Sequence, residues 1–127
     1  MKTIPINSPV APAASGGYSQ AVEVQDAQRL LFISGQIPVA TTGAVPADFP
    51  SQVRLVWANV LAQLAAANMS VANLVKVTTF LAAREYAVPN REVRQEALGD
   101  HAPALTVIIT GIFDETWLIE IEAIAAA

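Results

Sequence analysis

Helical spacing is clearest after Pro50, where Val53, Val56, Trp57, Val60, Leu61, Leu64 and Asn68 recur at intervals of one, three and four residues. That period places a single stripe against a core. Pro50 suits a first helical turn, because its missing N–H costs nothing there. The other face carries alanines with Gln52, Asn59 and Gln63, so the helix can lie on a sheet. Elsewhere the period shortens. Tyr18–Val24 alternates and predicts a strand, and Arg29–Ser34 (RLLFIS) is a compact apolar run that predicts a buried one. The polar residues 25–28 between them predict a hairpin. Residues 8–17, rich in Pro, Ala and Gly, read as an irregular lead-in, and 36–49 as a loop.

Leu74–Leu81 (LVKVTTFL) predicts a further strand. Pro89 opens a second, shorter helix that Gly99 ends. Leu105–Thr110 (LTVIIT) is dense in β-branched residues and predicts a central strand. Trp117–Ile124 (WLIEIEAI) alternates again as the last strand. The order is β-β-α-β-α-β-β. It predicts an α+β fold, a mixed or antiparallel sheet with two helices on one face, built from one domain spanning 1–127.

Composition changes this picture in one respect. Only 14% of the 127 residues are charged while 54% are hydrophobic; a typical soluble domain is about 25% charged. A small fold has difficulty covering that much apolar surface alone, so self-association is expected. No run approaches a membrane span, and there is no h-region of a signal peptide. The absence of cysteine suits a reducing cytoplasmic compartment and removes thiolate metal sites. The net charge is −4 and the seven basic residues are scattered. Arg91 and Arg94 lie together on one helical face, read as a solvated pair. No basic stripe exists for a nucleic-acid backbone.

Candidate chemistry is sparse. His101 is the only histidine, and its neighbours Gly99-Asp100 and Ala102-Pro103 mark a turn rather than a metal or triad site. Neither a phosphate-cradling glycine loop nor a GxSxG elbow occurs. The last strand is more informative. Glu120 and Glu122 point to one face, Ile119, Ile121 and Ala123 to the other. Either that acidic face meets water, or one carboxylate lines a cleft where desolvation raises its pKa toward acid–base use. Gly16–Ala21 and Phe32–Pro38 bring glycine, hydroxyl and amide groups to strand ends, where loops approach a ligand closely.

Taken in order, GGYSQAV at 16–22, FISGQIP at 32–38, the helix with Asn59, LVKVTTFL at 74–81, Asn90, Pro103-Ala104 and IEIEAIA at 119–125 resemble the RidA (YjgF-like) family of reactive-intermediate deaminases. The resemblance implies a chorismate-mutase-like fold and a homotrimer whose sheets face a central barrel. Small-molecule clefts would lie between neighbouring subunits. It implies that no cofactor is needed, while the scarcity of ligands counts against a metal site. Glu120 matches the acid that positions water for attack on an imine, and Tyr18 the cleft tyrosine. Ser34 and Gly35 match the loop beside the ligand, and Asn90 a cleft asparagine. Leu105 stands where active members carry the arginine that grips the substrate carboxylate, and Val107 where they carry a cysteine.

Leucine neither ionises nor donates a hydrogen bond, and losing a charge-assisted bidentate contact costs about 1.5–3 kcal/mol. The resemblance is therefore to a branch lacking the arginine, which counts against standard 2-aminoacrylate turnover. Two functions stay open. One is hydrolytic deamination of an imine, enamine or related small electrophile. The other is non-catalytic binding or scavenging of a small ligand.

Overall fold

The computed structural model describes residues 1–127. In chain order the elements are β1 (Lys2–Ile6), β2 (Ala21–Gln25), β3 (Leu30–Gln36), α1 (Phe49–Ala66), β4 (Leu74–Leu81), α2 (Ala87–Leu98), β5 (Ala104–Ile109) and β6 (Ile119–Ala126). Single 3₁₀ turns at Val71–Asn73 and Arg84–Tyr86 precede β4 and α2. The main sheet runs β3-β6-β4-β5. Its β4–β5 pair is parallel and the other two are antiparallel. A parallel pair needs a crossover, and α2 supplies it. The architecture is α+β, two helices on a mixed sheet, as expected.

Helix α1 forms where its stripe predicts. Asp48 accepts from Ser51 N at 2.9 Å, satisfying one orphan donor of the first turn, with Pro50 beside it. Val53, Val56, Trp57, Val60 and Leu64 are buried against the sheet, while Leu61 is left 38% exposed at the margin of the stripe. Asn68 ends the helix at a φ of 56°, and Met69 N closes back on Leu64 O at 2.9 Å. One core of 17 buried residues joins α1 and α2 to the inner face of the sheet, whose members include Ile33, Val77, Leu81, Ile119, Ile121 and Ala125. Gln52, 1% exposed, ties this layer to two loops: its amide donates to Pro46 O and Thr116 O and accepts from Leu118 N, all at 2.8 Å.

Four local expectations are corrected. An additional strand, β1, pairs antiparallel with β2. Pro5 hides it from a periodicity reading, because proline is tolerated only in an edge strand. The predicted strand at 18–24 begins at Ala21, with Ser19 making only an isolated bridge. The predicted hairpin between β2 and β3 does not form. Asp26 turns the chain at a φ of 56°, and Gln28 N and Arg29 N both donate to Ala127 O, committing β3 to β6. Finally, β5 is an edge strand, not a central one. Val107, Ile108 and Ile109 are 43%, 42% and 36% exposed. β-Branched density marks a surface suited to packing, and here that surface is open in the single chain. No helix is long and apolar enough to cross a membrane.

Candidate active site

The seven residues singled out from sequence fall into two groups. The first is built on β6 and β3. Glu120 lies directly across from Phe80 of β4, on the face turned away from the helices. The β3–β6 register shifts between Ile33 and Gln36, and Gly35 sits in that irregularity. There the backbone of Gly35 lies under the Glu120 side chain: a Cβ at position 35 would fall 2.7 Å from Cδ and 3.0 Å from Cγ of Glu120. Burial, and then the neighbouring charge of Glu122, raise the Glu120 pKa above its ordinary value. Its carboxylate opens on a recess of about 260 Å³ bounded by Phe80, Thr110 and Phe113. Ser34 is exposed beside a second recess, of about 270 Å³, which it shares with Phe32, Lys76 and Glu122.

The second group lies around β5 and α2. Ser19 is buried; its N–H donates to Pro103 O at 3.0 Å and its hydroxyl to Ala102 O at 2.7 Å. These bonds lay the 16–20 segment along the start of β5 and bring Tyr18 beside Leu105 and Val107. The three side chains share a cavity of about 670 Å³ with Asn90, Arg91 and Arg94 of α2. Contacts of Ser15 with the Tyr18 phenol, aided by the nearby charge of Arg94, hold the Tyr18 pKa below its ordinary value.

Register shows that the two groups occupy opposite faces of the sheet. Leu105 pairs with Val77 and Val107 with Thr79, both fully buried on the helix side. Glu120 pairs with Phe80, one step along β4 and therefore on the other side. Within one chain, Glu120, Gly35 and Ser34 do not meet Tyr18, Asn90, Leu105 and Val107.

Arg94 corrects the sequence reading. It is not solvated but 6% exposed, and its Nε has no hydrogen-bond partner. Desolvation and then Arg91 lower its pKa, while Tyr18 opposes them. Arg91, by contrast, is exposed. The signal was present: Asn90, Val93, Arg94, Ala97 and Leu98 repeat at three and four residues, which places Arg94 on the inward stripe of α2. His101 is a turn residue, with Nε2 2.6 Å from Leu74 O. No group of three or more His, Cys, Asp or Glu side chains is placed to hold a metal ion.

The sequence model of the family described as Endoribonuclease L-PSP, which includes the RidA, YjgF and RutC proteins, matches residues 8–127. The chain belongs to the RidA family. A RutC family protein of Pyrococcus horikoshii is 38% identical to it over 117 residues, covering 91% of this chain and 90% of that one. TdcF of Escherichia coli K12, named as a candidate reactive intermediate deaminase, is 38% identical over 130 aligned positions, covering 98% and 97%. The crystal structure of E. coli TdcF with bound serine superposes with a TM-score of 0.73 at 34% identity, covering 98% of each chain. YyfB of Yersinia pestis, a Rid family protein of unknown function, superposes with a TM-score of 0.85 at 26% identity over the whole of both chains. This RidA-family chain thus carries the chorismate-mutase-like fold.

Proposed function

We propose that this protein is a cofactor-independent hydrolase of small imines or enamines, working as a homotrimer whose active sites are completed between neighbouring subunits. The carrying observation is the placement of Glu120 against Gly35, on the opposite sheet face from Tyr18 and Asn90. Each half is a partial site. Glu120 supplies an acid poised over an open recess, but nothing beside it to orient a substrate. The Tyr18–Asn90 cavity supplies polar groups and an apolar wall, but no carboxylate to activate water. A second copy laid across the open face and the β5 edge would join them.

The surface supports that assembly. Leu30, Phe32 and Phe113 are 59%, 71% and 95% exposed. On the open face Phe32 pairs with Ile124, and further along the sheet Phe80 pairs with Ile108. So much exposed apolar area on a chain of low charge favours burial against copies of itself. In the joined cleft, Glu120 would hold a water for attack on the C=N carbon. Ammonia would leave after proton transfer from the same acid. The deaminase name of TdcF and the serine in its structure support an amino- or imino-bearing ligand. A cytoplasmic location belongs to the same reading.

The test is ammonia release from freshly generated imines of several amino acids, by wild type and Glu120→Gln. Turnover in wild type that is lost in the variant supports the hydrolase. A second reading, a small-ligand binder without turnover, is favoured by Leu105 in place of the arginine. It predicts saturable ligand binding with no ammonia release in either protein. Binding titration with single-stranded RNA at low salt addresses the activity in the family's description, and the scattered basic residues predict none.

A further inference from the structure

We propose that Arg94, reaching into the cavity from α2, binds the carboxylate of this protein's ligand, while Leu105 and Val107 form the apolar wall that receives the ligand's hydrocarbon part. This deepens the reading above, resting on it only for the placement of a ligand in this cavity.

Arg94 is 6% exposed as a residue, and a cation withdrawn that far from solvent demands compensation. Buried charges are normally paired, because leaving water without a partner is costly. Arg94 has no such partner within the chain. Its Nε donor is unmet, and the charged or titratable groups acting on it are Arg91 and Tyr18, neither a carboxylate. A guanidinium keeps its proton at neutral pH. It therefore stands as a permanent cation at the wall of an open cavity of about 670 Å³.

Asn90, one helical turn earlier and 2% exposed, lines the same cavity with its Oδ1 also unmet. Asn90 and Arg94, at i and i+4, thus line one space, each with an unmet buried atom. An anion seated against the accessible edge of the guanidinium would offset its buried charge. Arg91 at the rim adds positive potential without being buried. The opposite wall is Leu105 and Val107, which offer no hydrogen bond. The cavity is thus polarised, cationic at α2 and apolar at β5, and it fits a small carboxylate with a short aliphatic chain.

The experiment titrates the assembled wild-type protein with 2-oxobutyrate and with its neutral amide, 2-oxobutanamide, by calorimetry. Wild type is expected to bind the acid saturably and to prefer it over the amide. Arg94→Gln should weaken acid binding roughly ten- to a hundredfold and abolish the preference. Arg94→Lys should fall between, since it keeps the charge without the fork. Arg54→Gln, exposed on α1 and outside the cavity, should leave binding unchanged. In wild type, the Arg94 Nε–H proton resonance, assigned by its loss in Arg94→Lys, should move downfield on adding 2-oxobutyrate. That readout holds even if Arg94→Gln folds poorly. The proposal is overturned if the acid does not bind wild type, if Arg94→Gln binds it equally well, or if the resonance does not move. Its fate is separable from that of the hydrolase. Imine turnover with an unchanged KM in Arg94→Gln removes the proposal and leaves the hydrolase standing. Arg94-dependent binding without turnover does the reverse.

Discussion

Gly35 and Glu120 are packed so closely that a methyl group at position 35 would occupy the space of the carboxylate, 2.7 Å from Cδ. The β3 irregularity and the glycine together let an acid lie flat on the backbone of the neighbouring strand. Gly35→Ala is therefore expected to push Glu120 aside rather than to break the fold. The colliding group is a side-chain end, and Gly35 is not among the glycines held at positive φ. A displacement on the order of 1 Å at a water-positioning group costs roughly a hundredfold. Imine turnover should fall by about that factor while the urea midpoint moves little. An alanine variant with wild-type kcat would show that the contact does not set the acid.

The raised Glu120 pKa makes two predictions of definite sign. If the carboxylate activates water, turnover rises as Glu120 ionises, so the acid limb of the rate profile lies above the ordinary carboxyl range. Burial is the larger cause and Glu122 the smaller. Glu122→Gln should move that limb to lower pH without returning it to the ordinary value. For stability, the folded protein holds this proton to higher pH than the unfolded chain does. Stability from this group is thus complete at low pH and is lost as pH rises through the raised value. Glu120→Gln should melt at or above wild type at pH 7, and the difference should vanish below about pH 4. Melting scans at the two pH values check the sign.

Much of this arrangement was legible in the sequence, for identifiable reasons. Val53, Val56, Trp57, Val60 and Leu64 bury as their spacing requires, and the 119–123 alternation separates Glu120 and Glu122 from the core. What escaped reading depends on the partner an element finds. β1 pairs only because β2 is free of β3, and β5 is an edge because β6 inserts between β3 and β4. Neither fact is local. Arg94 escaped for another reason. Its charge predicts a solvated position and its place on the inward stripe a buried one, and only its burial in the fold distinguishes the two.

Gln52 ties the loop before α1 to the segment that leads into β6. Its amide meets two carbonyls and one N–H of Pro46, Thr116 and Leu118. Gln52→Ala leaves these backbone groups without partners in a site 1% exposed. Each unmet buried group costs about 1–3 kcal/mol, part of it recovered by relaxation or water. A loss of roughly 3 kcal/mol in urea unfolding is expected. Gln52→Glu should also destabilise, because a carboxylate cannot donate to Pro46 O and Thr116 O. Loss below about 1 kcal/mol in Gln52→Ala would mean that water takes over these bonds.

Sharing of the site between copies is testable without a structure of the assembly. Wild type should sediment as three chains at micromolar concentration. Phe32→Glu, at an exposed position of the open face, should shift it toward monomer and abolish turnover together. Glu120→Gln and Tyr18→Ala lie in different half-sites, so each variant should be inactive alone. Unfolded together and refolded as a mixture, they should regain about a quarter of wild-type activity, because random assembly of a cyclic oligomer leaves that fraction of clefts with both halves intact. No recovery would mean that the two half-sites are not brought together between copies.

Leu105→Arg probes how far the cavity is already committed to a cation on α2. A guanidinium at 105 would join Arg91 and Arg94 around one space that contains no acid of the same chain. Like charges at short range repel, more strongly where water is excluded. The ligand-free variant should therefore melt below wild type, and added salt should narrow the gap. An anion bound among the three cations offsets part of their repulsion, so 2-oxobutyrate should raise the variant's melting temperature more than the wild type's. If Arg94 already holds the carboxylate, the added arginine competes for the same two oxygens, and affinity should rise less than tenfold. A gain of a hundredfold or more, together with new imine turnover, would mean that the wild-type cavity lacks a carboxylate grip and that Arg94 does not supply it.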